Sequence, residues 1–100
     1  MKKILGGLSF GEIISKVMAD RKMRPPERML MFELILMAFD IGNSDIRITR
    51  AELAGKLDRE KRSVTRSLSS LIRKGWLLRL ERPGEQSPIL RVRILNPRDT

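Results

Sequence analysis

Between Lys61 and Lys74 the chain carries five basic side chains and no acid. Drawn as a helix at about 100° per residue, this stretch puts Arg62, Arg66, Ser69 and Arg73 on one face. Ser63, Ser70 and the preceding Arg59 lie at the side of that face, and Val64, Leu68 and Leu71 occupy the opposite one. Arginine presents a planar fork that bonds bidentately to guanine O6 and N7 or to a phosphate, while serine is short enough to let a helix sit close to bases. An ordinary solvated helix mixes glutamate into its outer face. This pattern suits contact with a polyanion, and its arrangement matches the groove of a DNA duplex.

Composition narrows the alternatives. The chain has 100 residues, 21 Lys+Arg against 12 Asp+Glu, no His and no Cys, for a formal charge of +9. Without Cys or His there is no thiolate nucleophile, no imidazole base and no zinc, haem or iron–sulfur ligation of the usual kinds. The carboxylates are scattered, with no D-x-D or E-x-x-E pair to hold Mg²⁺ or to share acid–base work. No catalytic role, cofactor or metal is expected. The charge is uneven: residues 1–50 carry +3 and residues 51–100 carry +6, so the basic function belongs mostly to the second half. Aromatic residues make up 4% and Tyr is missing, which disfavours single-strand binding through stacked bases.

The remaining elements follow from spacing. Ser9-Phe10-Gly11-Glu12 has the form of a capping box, and Phe10, Ile13, Ile14, Val17 and Met18 form one helical stripe, predicting a helix that ends near Arg21 or Lys22. Pro25-Pro26 suits the first turn of a second helix. From Met29 to Ile41 nearly every residue is apolar, as in a helix covered on all sides by its own fold or by another chain. Ile46-Arg47-Ile48 alternates as a short strand, Thr49 to Leu57 reads as a helix with its own capping-box form, and Asp58-Arg59-Glu60 is a turn. After the helix from Lys61 to Lys74, Gly75 supplies a stop. Trp76 to Arg82 and Ile89 to Leu95 then read as two arms of a hairpin, with Pro83 to Pro88 at the tip. Trp76 is expected in the core, against Leu68 or Ile72. Asn96 to Thr100 reads as a frayed tail.

Thr49, Leu53-Ala54, Leu57, Val64, Arg66, Leu68, Leu71, Gly75 and Trp76-Leu77 recur at the spacing of a known pattern. Over about residues 46–95 the chain resembles the winged helix-turn-helix family of DNA-binding proteins, without a gap. The family usually has threonine where Ser63 stands, an apolar turn residue in place of Arg59, and a Ser or Thr helix cap in place of Glu60. Asp58 is the alternative cap. The resemblance implies a mainly α fold with a small β-hairpin wing, the helix from Lys61 to Lys74 in the major groove, and the wing along phosphates or in the minor groove. Arg82 at the wing base, Gln86 or Ser87 at its tip and Arg91 on the returning strand become candidate contacts. Arg50, at the start of the preceding helix, is placed to meet a phosphate. The candidate DNA-binding set is therefore Arg50, Arg59, Arg62, Ser63, Arg66, Ser69, Arg73, Arg82 and Arg91.

The whole chain, 1–100, is expected to form one winged helix-turn-helix domain, with 9–41 supplying a homodimer contact and 46–95 the DNA-binding part. No stretch reaches the ~20 apolar residues that span a bilayer. Lys2-Lys3 and the short apolar run after it mimic a signal peptide only loosely, so the expected location is the cytoplasm, with the nucleoid. The expected role is transcriptional regulation on double-stranded DNA. A plasmid or phage replication or partition protein, an RNA-binding domain, and a protein-interaction module working through Met29 to Ile41 are the competing expectations.

Overall fold

Four helices and a small antiparallel sheet surround a core that runs from Ile13 to Ile94. The computed structural model describes residues 4–5, 8–80 and 89–95, with side chains from residue 9 onward. The elements are β1 (Ile4–Leu5), β2 (Leu8–Ser9), α1 (Phe10–Ala19), α2 (Pro25–Ile41), β3 (Asp45–Thr49), α3 (Arg50–Leu57), α4 (Lys61–Arg73), β4 (Leu77–Arg79) and β5 (Ile89–Ile94). The short antiparallel β1–β2 pair lies where the sequence offered only a brief apolar run. The proposed hairpin tip and the tail from Asn96 lie outside the described residues.

Local chemistry sets the helix ends. The Ser9 hydroxyl accepts from the Glu12 N–H at 3.3 Å while a Glu12 carboxylate oxygen accepts from the Ser9 N–H at 3.2 Å, a reciprocal cap at the start of α1. α1 stops at Ala19, a turn fraction earlier than its stripe suggests, because Asp20 leaves the helical conformation. α2 starts on Pro25 and Pro26, whose missing amides cost nothing there, and ends at Gly42 with φ 71°. Thr49 caps α3 by accepting from the Glu52 N–H at 3.1 Å; the Glu52 carboxylate turns instead to the Thr49 hydroxyl at 2.9 Å. Asp58 does not cap α4. It sits in the left-handed region with φ 51° and closes α3, and Glu60 takes the N-cap position of α4 without a side-chain bond.

α2 is the central element. Leu30, Met31, Leu34, Ile35 and Ala38 are fully buried and Phe39 nearly so, packed by α1, α3, α4 and β3. The fold therefore encloses most of a helix whose sequence looked apolar all round. Only an outer strip is left, with Met29 and Leu36 spaced seven apart and Ile41 at the helix end. On α1, Ile13 and Val17 are buried, whereas Met18 is exposed and Phe10 rests edge-on against Phe39 with ring centroids 5.3 Å apart.

The sheet has the order β3-β5-β4, antiparallel throughout. Alternation sends Ile46, Ile48, Leu90, Val92, Ile94 and Leu77 inward. Arg47, Arg91 and Arg93 lie on the outer face, with Arg47 directly opposite Arg91. β4 is shorter than its sequence pattern, yet the Leu80 N–H still donates to the Arg91 carbonyl at 2.9 Å. Among the described residues no helix is long and apolar enough to cross a membrane.

Candidate nucleic-acid interface

α4 is attached to the molecule along two of its sides and open along a third. Val64, Leu68 and Leu71 are buried, as their spacing predicts, and face the core shared with α2, α3 and β4. A second line, Ser63, Ser67, Ser70 and Lys74, runs at i, i+4, i+7, i+11 along the edge that meets the start of α2. Arg62, Arg66, Ser69 and Arg73 are all exposed on the remaining face. The structure thus brings these four together as the sequence predicts.

Two other predicted contacts are committed inside the protein. Arg59 donates from Nη1 to the Pro26 carbonyl at 3.2 Å. Its Nη2 is shared among the Ser63 carbonyl at 3.1 Å, the Ser63 hydroxyl at 3.0 Å and the Ser67 hydroxyl at 2.9 Å. Arg59 therefore ties the turn before α4 to α2 and to the first turns of α4. That role gives the arginine of this turn a structural task inside the protein. Ser63 is its acceptor and faces α2 rather than the open side.

Behind this edge lies a polar knot that sequence reasoning missed. Lys74 Nζ donates to both carboxylate oxygens of Glu27, at 2.6 and 3.0 Å, and to the Lys22 carbonyl at 2.6 Å. The Ser70 hydroxyl donates to Glu27 at 3.0 Å, and the Arg24 N–H at 3.3 Å. Glu27 is 3% exposed, so each of these bonds replaces water it has lost. Burial by itself would raise its pKa; the Lys74 ammonium, the Arg24 amide and the Ser70 hydroxyl outweigh burial and hold it below its usual value. Next to it Trp76 is buried, with its indole N–H donating to Asp20 at 2.7 Å. Burial opposes ionisation of Asp20 as well, but the Trp76 and Lys22 hydrogen bonds lower its pKa. The i, i+4, i+7, i+11 line of small and basic residues was the available signal for this edge.

The other candidates fall elsewhere. Arg50 is the first residue of α3 and is half-buried. Arg91 is exposed on the outer sheet face, opposite Arg47, three residues before Arg50. Arg93 on that face is neutralised by a two-pronged contact to Asp45, at 2.6 and 3.1 Å. Arg82, Gln86 and Ser87 lie outside the described residues. No group of three acidic, His or Cys side chains that could hold a metal occurs among the described residues. No protein-family model, curated protein or solved structure gives a significant match to the chain.

Proposed function

We propose that the chain is a small winged helix-turn-helix protein that binds double-stranded DNA as a homodimer and regulates transcription. The observation that carries the proposal is the open face of α4: Arg62, Arg66, Ser69 and Arg73 exposed together, with no acid between Lys61 and Lys74. Support comes from the elements behind it. Two helices joined by the short turn 58–60 are followed by antiparallel strands, and β3 completes their sheet in the order β3-β5-β4. In this reading α4 is the recognition helix, β4 and β5 frame the wing, and Arg50, Arg82 and Arg91 are backbone contacts.

Duplex binding of this kind is strongly salt-dependent. Fluorescence anisotropy with a labelled duplex is expected to show log K falling with log salt at a slope of about −3 or steeper, since each neutralised phosphate contributes about −0.9. A flat salt response, or no binding at low salt, would sink the proposal. A labelled RNA duplex serves as the competing probe, because its deep, narrow major groove does not admit α4.

The homodimer rests on the outer strip of α2. Met29 and Leu36, on one line of α2, and Ile41 at its end are each more than half exposed, and they are the apolar surface a second copy would cover. Light scattering at micromolar concentration is expected to give twice the chain mass. Leu36→Glu, which places a charge in that strip, is expected to return the monomer. A wild-type monomer at these concentrations would remove the dimer and leave the DNA proposal standing.

A further inference from the structure

Beside the open face of α4 lies a groove of about 830 Å³ between that helix and the start of α2. It is lined by Arg24, Arg59, Arg66, Arg73 and Lys74, by serines of α4, and by the single carboxylate Glu27. The two internal contacts described above account for part of this charge: Lys74 neutralises Glu27, and Arg59 is spent on Pro26, Ser63 and Ser67. The remaining cations are Arg66 and Arg73 on one wall and Arg24 on the other. Arg24 is exposed, and none of the ion pairs among the described residues involves its guanidinium.

We infer that this groove is a track for the phosphate backbone of the bound duplex, with Arg24 as its anchor on the α2 side. The inference rests on the DNA-binding reading and extends it to a residue outside the helix-turn-helix segment. The first two positions of α2 offer no amide to an anion here, because Pro25 and Pro26 have no N–H. On the α2 side the attraction comes from the Arg24 guanidinium. Three of them around one concavity, with the only acid already paired, form a local positive field suited to successive phosphates. The serines deepen the track without competing for the ligand, since Ser63, Ser67 and Ser70 already have partners in Arg59 or Glu27.

A phosphate contact and a base contact leave different signatures. Arg24→Gln preserves the backbone N–H that bonds Glu27 and removes only the charge. Anisotropy titrations over 50–200 mM salt, on at least two unrelated duplexes, are expected to show the salt slope of Arg24→Gln shallower by about 1. The affinity lost across that salt range then shrinks by about 3-fold, equally for both sequences. Lys16→Gln, on α1 and outside the groove, removes the same charge and controls for the overall field. Equal slopes for Arg24→Gln and the wild type, with wild-type duplex binding intact, overturn the backbone track and keep the DNA-binding reading. A slope change of the same size in Lys16→Gln also overturns it, as the effect would belong to net charge. Absence of duplex binding by the wild type overturns both.

Discussion

Replacing Arg62 and Arg66 together by alanine is expected to weaken specific duplex binding by at least about 30-fold while leaving the melting temperature close to that of the wild type. The size follows from the chemistry of base readout: each bidentate arginine contact to a base contributes roughly 1–3 kcal/mol of discrimination, and two removed contacts act together. The unchanged stability follows from the packing. Both side chains are exposed on α4, and neither takes part in the buried face of Val64, Leu68 and Leu71 or in the hydrogen bonds of Glu27 and Lys74. Surface substitutions of this kind usually change stability by less than about 0.5 kcal/mol. The measurement is a parallel titration and thermal melt. Undiminished specific binding would show that α4 does not read the duplex, whatever else the protein binds.

The opposite profile is expected for Lys74→Met: folding is lost before binding. Methionine keeps most of the side-chain length and removes the ammonium, leaving Glu27 buried with only the Ser70 hydroxyl and the Arg24 amide. Breaking a buried pair by deleting one partner costs about 3–5 kcal/mol. Lys74 keeps 28% of its side-chain surface, which places this pair toward the lower end. A loss of that size is a large share of the stability of a 100-residue domain. Urea denaturation followed by Trp76 emission measures it directly, since this is the only tryptophan. A midpoint unchanged from the wild type would show that the ion pair carries no net stabilisation.

The same knot fixes the direction of the acid response. Glu27 and Asp20 have lower pKa values folded than their ordinary values of 4.5 and 3.8. The stability they contribute is fully present above those values and is lost as pH falls through the lower folded ones. In wild type, therefore, the unfolding midpoint should hold from neutrality down to about pH 4.5 and fall below it. In Lys74→Met the Glu27 pKa rises for lack of its cation, so the part of the stability that Glu27 loses on acidification is smaller than in the wild type. With no histidine in the chain, no side chain titrates near neutrality in its ordinary range.

What could be read from the sequence was whatever is written along one element. Ser9 to Glu12 announced a cap, Val64, Leu68 and Leu71 announced a buried face, and the alternation of Leu90, Val92 and Ile94 announced a strand. The grouping of Arg62, Arg66, Ser69 and Arg73 came from the same periodicity. Contacts between elements were out of reach. Glu27 and Lys74 are 47 residues apart, and Asp20 and Trp76 are 56 apart, so no local spacing joins them. Helical periodicity puts Arg59 and Ser63 at the side of the basic face, which is why both stand among the candidate contacts. The carbonyl of Pro26, 33 residues away in the chain, is what turns that arginine inward. The choice between enclosure of α2 by its own fold and by another chain was open for a related reason: hydrophobic pattern counts apolar faces but not the neighbours, here α1, α3, α4 and β3, that share in covering them.

Seen from the rest of the molecule, α4 separates attachment from presentation. It is fastened by Val64, Leu68 and Leu71, with Ile72 beside them, and by the edge of Ser63, Ser67, Ser70 and Lys74. Among the described residues, no hydrogen bond or ion pair joins positions 62, 66, 69 and 73 to those fastenings. Their identities can therefore be exchanged, singly or as a set, with the helix still held at the same angle by the same partners. A library confined to these four positions would vary what the helix meets while holding constant how it is offered.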